Sequence, residues 1–380
     1  MTAHDAPAAK STPAVSSIFM CLYEATEPMT KQEVAKSCGL SLPTVYQAFS
    51  ALEEQGLIAC GQDRSSTGGR RAQTFGVSRG AVATIGISLT GRSVRCVACD
   101  LYGERIEGLY FKQPLAAART RETLAASIQE MTGAMDAELK QRGIRDVGVG
   151  IAVPSAVDPS TGRLLNTSVL RLGDAQLRAG DLTERLPHPA GVFNDANCGA
   201  FSQVFPTTHG ESLAYLSLER GVGGAVIIDG KPFAGPRGTS GEFGHICIEP
   251  GGKKCACGRD GCLEAYCSSN VLSEELGITL EEFFAKAGRG ESEAVAALEG
   301  YIGHLARGVI AIHTALGVDV ALGGEMAAYL EPYFPQVEKA VAALDPFPTG
   351  EGCVGRAKHP FHGVPIGAAQ LMAQRFIEGV

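Results

Sequence analysis

Basic charge is scarce in this 380-residue sequence: 33 Lys and Arg stand against 41 Asp and Glu, a formal net charge of -8. No overall cationic field exists to gather nucleic acid or an anionic membrane, so any such contact has to come from a local patch. Long apolar runs are also missing, since none approaches the roughly eighteen residues of a membrane span. The opening MTAHDAPAAKSTPAVSS lacks the charged start and apolar stretch of a secretory leader. These absences point to a cytoplasmic protein with no membrane partner. Thiols stay reduced there, which argues against disulfides among the 12 cysteines. The length exceeds what one compact core serves, so two or three domains are expected.

Most cysteines are scattered singly (Cys21, Cys38, Cys60, Cys198, Cys353) and read as small buried hydrophobes. Cys96 and Cys99 have CxxC spacing, but RSVRCVACD reads as a strand, and residues three apart on a strand face opposite sides. The segment HICIEPGGKKCACGRDGCLE (residues 245–264) is different. Gly258 and Gly261 let the CACGRDGC loop turn sharply enough to point Cys255, Cys257 and Cys262 inward. With His245 they form the Cys3His donor set of a closed structural Zn2+ site, with Cys247 and Cys267 nearby as spares.

Residues 1–15 are rich in Ala, Pro and Ser and read as a disordered tail. Residues 16–80 follow as a winged helix-turn-helix. Val15, Ile18, Phe19 and Leu22 recur at helical spacing. In TKQEVAKSCGL, Thr30 and Glu33 form a capping box and Gly39 fits the stop. In SLPTVYQAFSALEEQGLI, Ser41 is the N-cap, Val45, Phe49 and Leu52 share a face, and Gly56 ends the helix. Ser41, Thr44, Tyr46, Gln47 and Ser50 offer polar groups sized for base edges and phosphates of operator DNA. A hairpin wing, DRSSTGGRRAQTFGV, adds Arg64, Arg70 and Arg71 for the phosphate backbone. From the first residue through Gly80 the chain holds seven Lys and Arg and seven Asp and Glu. So weak a charge footprint implies a homodimer or homotetramer reading paired half-sites.

From Ala81 the pattern changes to strand hairpins followed by mixed strand and helix, and it occurs twice. Residues 81–200 and 201–380 are read as two lobes of an α/β protein with a cleft between them, the second carrying the zinc site.

Three stretches carry a family resemblance: GEFGH-x9-CxCGxxGCxE (Gly241 to Glu264), NDAN (Asn194 to Asn197) and TGGRR (Thr67 to Arg71). The chain resembles the DNA-binding repressor branch of the ROK family (repressors, open reading frames and sugar kinases). The resemblance implies a two-lobed actin-like, ribonuclease H-like ATPase fold closing on a sugar or sugar-phosphate effector. It also implies that Asn194, Asp195, Glu242, His245 and Glu264 bind sugar hydroxyls, as carboxylates and amides do well. His245 then serves both zinc and ligand.

Two further stretches depart from the kinase members. Ser88, in GISLTG, stands where kinases place an Asp that attracts Mg2+. ERGVGGA puts Glu219 and Arg220 where kinases have a small Gly-Thr pair that lets phosphates approach the backbone. The stretch reading roughly NLxGW in relatives is LLNTSVLRLGDAQL here, and the chain has no tryptophan. The expectation is therefore a sugar-responsive transcriptional regulator, a repressor, that is not an enzyme. The alternative is an ATP-dependent sugar kinase carrying a DNA-binding domain.

Overall fold

The computed structural model describes residues 12–61, 72–116, 119–167, 169–172, 176–206, 210–347 and 352–380. Helix α1 (Pro13–Glu24) is capped by the Thr12 side chain, which accepts from the Val15 N–H, and has Pro13 in its first turn. This local chemistry starts the helix inside the tail expected to run to residue 15. Strand β1 (Met29–Thr30) leads into α2 (Lys31–Cys38), where Thr30 and Glu33 make the capping box and Gly39 (φ 65°) closes the helix left-handed. Helix α3 (Leu42–Glu54) is capped by Ser41 and buries Val45, Ala48, Phe49 and Leu52. Strands β2 (Ile58–Cys60) and β3 (Thr74–Val77) pair antiparallel beside β1 in the order β1-β3-β2. Most of the wing between β2 and β3, with Arg64, Arg70 and Arg71, lies outside the described residues.

The first lobe is a five-stranded sheet in the order β6-β5-β4-β7-β8. It is built from β4 (Val82–Leu89), β5 (Ser93–Cys99), β6 (Arg105–Pro114), α4 (Arg121–Gln141), β7 (Arg145–Val153), α5 (Ala179–Thr183) and β8 (Ala190–Asn194). Central strands β4 and β7 are covered on both faces, which is why they read as apolar runs rather than alternating ones. Cys96 joins the cluster beneath α4 while Cys99 packs on the other face with Ile366 and Ala369, so the CxxC pair is split by the sheet. Cys198 and Cys353 are buried, but Cys60 is exposed and Cys21 and Cys38 are only partly covered. The three lie in the small head, where their neighbours are few, and are not the core hydrophobes expected.

Helix α6 (Asp195–Val204) leaves the end of β8 and lies between the lobes, packing Ala196, Ala200 and Phe201 against Tyr215 and Ala225, and Cys198 against Ala368. The second lobe repeats the plan in the order β11-β10-β9-β12-β13. Its strands are β9 (Leu213–Leu218), β10 (Val222–Ile228), β11 (Lys231–Pro232), β12 (Asp319–Gly323) and β13 (Val354–Arg356). The cysteine loop and helices α7 (Glu264–Cys267), α8 (Asn270–Leu276), α9 (Leu280–Gly288), α10 (Ser292–Leu316), α11 (Glu325–Tyr329) and α12 (Phe334–Ala342) fill the connections. By length and composition α10 matches a membrane span, although no uninterrupted apolar run exists. Its Leu298, Tyr301, Leu305, Val309 and Ile312 are buried in the second-lobe core.

Helix α13 (Gly363–Gly379) does not stay in the second lobe. It crosses back to the first sheet so closely that a Cβ on Gly86 or Gly150 would collide with the Pro365 or Ala368 carbonyl oxygen. The division at 201–380 drawn from the sequence therefore gives up its final helix to the first lobe. Ala373 and Ile377 of that helix and Val380 just after it share a cluster with Ile18, Phe19 and Leu22 of α1 and with Leu101 and Val147 of the first lobe. Burial of each large side chain there contributes about 1.5–3 kcal/mol.

Candidate ligand cleft, cysteine loop and recognition helix

His245, Cys255, Cys257 and Cys262 each offer a ligand atom within 4.8 Å of the others. His245 Nδ1 lies 3.7 Å from Cys255 Sγ, and the Cys257 and Cys262 sulfurs are 3.7 Å apart. The loop closes through the Cys255 N–H on the Arg259 carbonyl (2.8 Å) and turns back at Gly261 (φ 77°). The Arg259 backbone N–H and guanidinium favour the Cys257 thiolate and draw its pKa down to about 6. Burial pushes the Cys255 thiol up to about 12 in the metal-free chain. Neither spare joins the four: Cys247 is exposed with its thiol towards the Asp260 carbonyl, and Cys267 is buried in the second-lobe core. Three sulfurs and one imidazole nitrogen at this separation suit a four-coordinate metal ion.

Asn194 ends β8 and caps α6: Oδ1 accepts from the Asn197 N–H (3.0 Å), while Nδ2 donates to the Ser155 carbonyl (3.2 Å) and to Asp195 Oδ1 (3.2 Å). Asp195 Oδ1 also accepts from the Ala196 N–H at 2.8 Å. Burial, reinforced by the carboxylates of Glu219 and Glu242, raises the Asp195 pKa to about 7. Near neutrality this carboxyl can both donate to and accept from a hydroxyl. Glu242 is exposed just before the short turn Phe243–His245. Glu264 is placed differently from the expectation of a free sugar ligand: Oε2 accepts from the Val222 N–H (3.0 Å) and Oε1 faces the Cys255 thiol (3.7 Å). It ties the cysteine loop to the turn between β9 and β10. Ser155, which anchors Asn194, went unnoticed in VPSAVD, although a turn ending an apolar strand at a cleft was a usable signal.

At the stretches that depart from the kinase members, Ser88 is buried and its Oγ has no hydrogen-bond partner among the described residues. It pairs in register with Arg95, whose Nε is likewise buried and unpartnered. Burial raises the Glu219 pKa, opposed by Arg95 and by a hydrogen bond from the Glu325 N–H at the start of α11. A chain carboxylate thus sits at the Gly323-Gly324 turn. Arg95 was missed; a lone Arg inside an apolar strand was its only sequence trace.

In the head, Tyr46 is 55% exposed and Gln47 is also exposed on the outer face of α3. Thr44 Oγ1 is bonded to the capping Ser41 Oγ (2.8 Å), and Ser50 Oγ donates to the Tyr46 carbonyl (3.2 Å). These three hydroxyls serve the helix first, leaving Tyr46 and Gln47 as the outward groups. Lys31, not singled out from sequence, holds its ammonium 4.8 Å from the Tyr46 ring centroid. The head is fastened to the first lobe: Tyr23 stacks on Tyr102 at 4.6 Å and its hydroxyl donates to the Leu101 carbonyl at 2.8 Å. The Arg79 guanidinium covers the Tyr102 ring at 4.2 Å.

Residues 16–59 match the IclR helix-turn-helix domain and residues 84–375 the ROK family. The DNA-binding transcriptional dual regulator NagC of Escherichia coli K12 is 25% identical over 375 residues, covering 93% of this chain and 90% of its own. The xylose repressor of Bacillus subtilis is 28% identical over 253 residues, covering 66% of this chain and 64% of its own. A ROK-family transcriptional regulator described as a homologue of the E. coli MLC protein superposes with a TM-score of 0.76 at 17% identity, 96% of each chain being covered. A ROK glucokinase from Streptomyces griseus, solved with glucose and AMPPNP, gives 0.63 at 22% identity over 77% of this chain and 99% of its own. The fold is therefore shared by regulators and kinases alike, and with most of its length inside the family match, this chain belongs to the ROK family.

Proposed function

We propose that the protein is a sugar-responsive DNA-binding transcriptional repressor that holds a sugar or sugar derivative between its lobes without phosphorylating it. The observation that carries this reading is the head's attachment: α1 shares a core with the first lobe and with α13, so lobe movement has a packed route to the recognition helix. The names of the relatives, a regulator called NagC and a xylose repressor, support a sugar as effector. Asn194, Asp195 and Glu242 are the residues for its hydroxyls, with Glu264 and His245 holding the loop behind them. His245, Cys255, Cys257 and Cys262 would hold Zn2+, which supplies a structural cross-link when bound. On this reading the protein works in the cytoplasm as a homodimer or homotetramer on paired half-sites.

Two features of the cleft support a loss of phosphoryl transfer. Ser88 brings no anionic charge for Mg2+, and the Glu219 carboxylate repels a triphosphate. Asp195 favours the kinase alternative, because a carboxyl with a pKa near 7 suits a general base. One experiment separates the two. Fluorescence anisotropy on the DNA upstream of the protein's own gene, run against pentoses, hexoses, N-acetylhexosamines and their phosphates, should show one class changing DNA affinity by roughly 5–150-fold. ATP should remain unconsumed. Operator binding that survives removal of residues 1–80, or sugar-dependent ATP hydrolysis lost in Asp195→Ala, overturns the proposal.

A further inference from the structure

At the edge of the first lobe, far in sequence from the cysteine loop, three side chains meet. Asp136 is on α4, Asp146 is the second residue of β7, and His188 lies two residues before β8. His188 Nε2 is 2.8 Å from Asp136 Oδ2 and 3.6 Å from Asp146 Oδ2. One ligand atom from each residue lies within 4.8 Å of the other two. The Asp146 side chain is 2% exposed, and its Oδ2 has no hydrogen-bond partner among the described residues. Its other oxygen is held by the Gly148 N–H at 2.8 Å, which fixes the carboxylate with Oδ2 towards the imidazole.

We propose that Asp136, Asp146 and His188 form a second metal site, for a divalent cation of the zinc class. Three observations converge on it. The first is charge. Besides burial, the strongest influences on Asp146 come from the Gly148 and Val147 backbone N–H groups, His188 and Asp136. Two carboxylates against one imidazole leave net negative charge even when the imidazole is protonated, and a buried carboxylate in that state is costly unless a cation joins it. The second is spacing: zinc bonds near 2.1 Å at tetrahedral angles set donors about 3.4 Å apart, which the 2.8 and 3.6 Å separations bracket. The third is preorganisation. His188 stands between Pro187 and Pro189, and the Pro189 carbonyl accepts from the Val149 N–H at 2.9 Å, so the ring is presented from a fixed backbone.

Two oxygens and an imidazole, without thiolate, suit Zn2+ or Mn2+ rather than Cu+. The side chains of His188 and Asp136 are 24% and 27% exposed, which gives the ion an entry path and leaves a fourth position open to water. A bound ion would join α4 to the starts of β7 and β8.

The test uses the full chain, purified without chelator and dialysed against micromolar Zn2+. Metal analysis should find one zinc more per chain in the wild type than in Asp146→Asn or His188→Gln, whatever the cysteine loop contributes to both totals. Co2+ in this site should give weak visible bands without thiolate charge transfer, and both variants should lose them. Asp136→Asn, at a partly exposed position, repeats the measurement should the buried variant fail to fold. Equal zinc content in wild type and variants overturns the proposal, as does an extra equivalent that disappears only in Cys353→Ser, which would place it at His313, Asp345 and Cys353.

Discussion

At one end of the cleft Asn194, Asp195 and Glu242 are held by helix caps, backbone bonds and the cysteine loop. At the other, Ser88 and Arg95 carry buried polar atoms without partners, and Glu219 brings its own charge to the start of α11. On the proposed reading, the first end is organised around something with hydroxyls, the second against something with phosphates. The difference teaches that recognition and transfer are separable in this fold, because they rest on different strands. The residues proposed for hydroxyls sit on β8 and the loop after β11, whereas Ser88, Arg95 and Glu219 sit on the hairpins β4–β5 and β9–β10.

The comparison breaks most violently if the cysteine loop is not what secures the hydroxyl end. Cys257→Ser or Cys262→Ser should release the metal and destabilise the second lobe, given that structural zinc supplies on the order of 10 kcal/mol in small peptides. Elemental analysis and thermal unfolding measure both losses; a metal-free native protein of unchanged stability refutes the assignment.

Asp195 sharpens it next. Its pKa rises from an ordinary 3.8 to about 7 on folding, so the native state holds a proton that the unfolded chain releases. Stability from this group is present below pH ~4, falls as pH rises, and is gone above pH ~7. Asp195→Asn should remove that slope and stabilise the unliganded protein by roughly 2–4 kcal/mol above neutrality. Denaturant melts across that pH window decide it, and parallel slopes for variant and wild type would count against it. Asp195→Ala should abolish the effector's influence on DNA, a coupling of about 1–3 kcal/mol, with unliganded DNA affinity nearly unchanged. Anisotropy titrations with and without effector read this directly.

The smallest effect tests the head while leaving both cleft ends alone. Arg70→Ala with Arg71→Ala should weaken binding to all duplexes and lower the salt slope by about 0.9 per lost phosphate contact. Gln47→Ala should instead change which operator is preferred. A sequence-selective effect of the arginine pair would invert these roles.

Much of this was legible because its causes are local. Thr30 with Glu33, Ser41 and Gly39 mark helix ends through bonds spanning only a few residues. The four clustered His and Cys side chains fall within twenty positions whose glycines dictate the turn. What escaped is non-local. Nothing in GVPIGAAQLMAQRFIEGV says that it packs on the first sheet, since its partners Gly86 and Gly150 lie hundreds of positions away. Glu264 was read as a ligand for sugar hydroxyls, and its bond from the Val222 N–H was not legible because that donor sits on a distant turn. Lys31 and Arg95 gain their surroundings only when strands and rings come together.

The shared core of α1 and α13 has a consequence for synthesis. A ribosome delivers α1 early and α13 only after both lobes, yet Phe19 and Leu22 share one buried cluster with Ala373 and Ile377. The head therefore waits, partly uncovered, through most of translation and closes last. A chain interrupted before α13 would carry a recognition helix on an unfinished base, which ties competence at the operator to completion of the polypeptide.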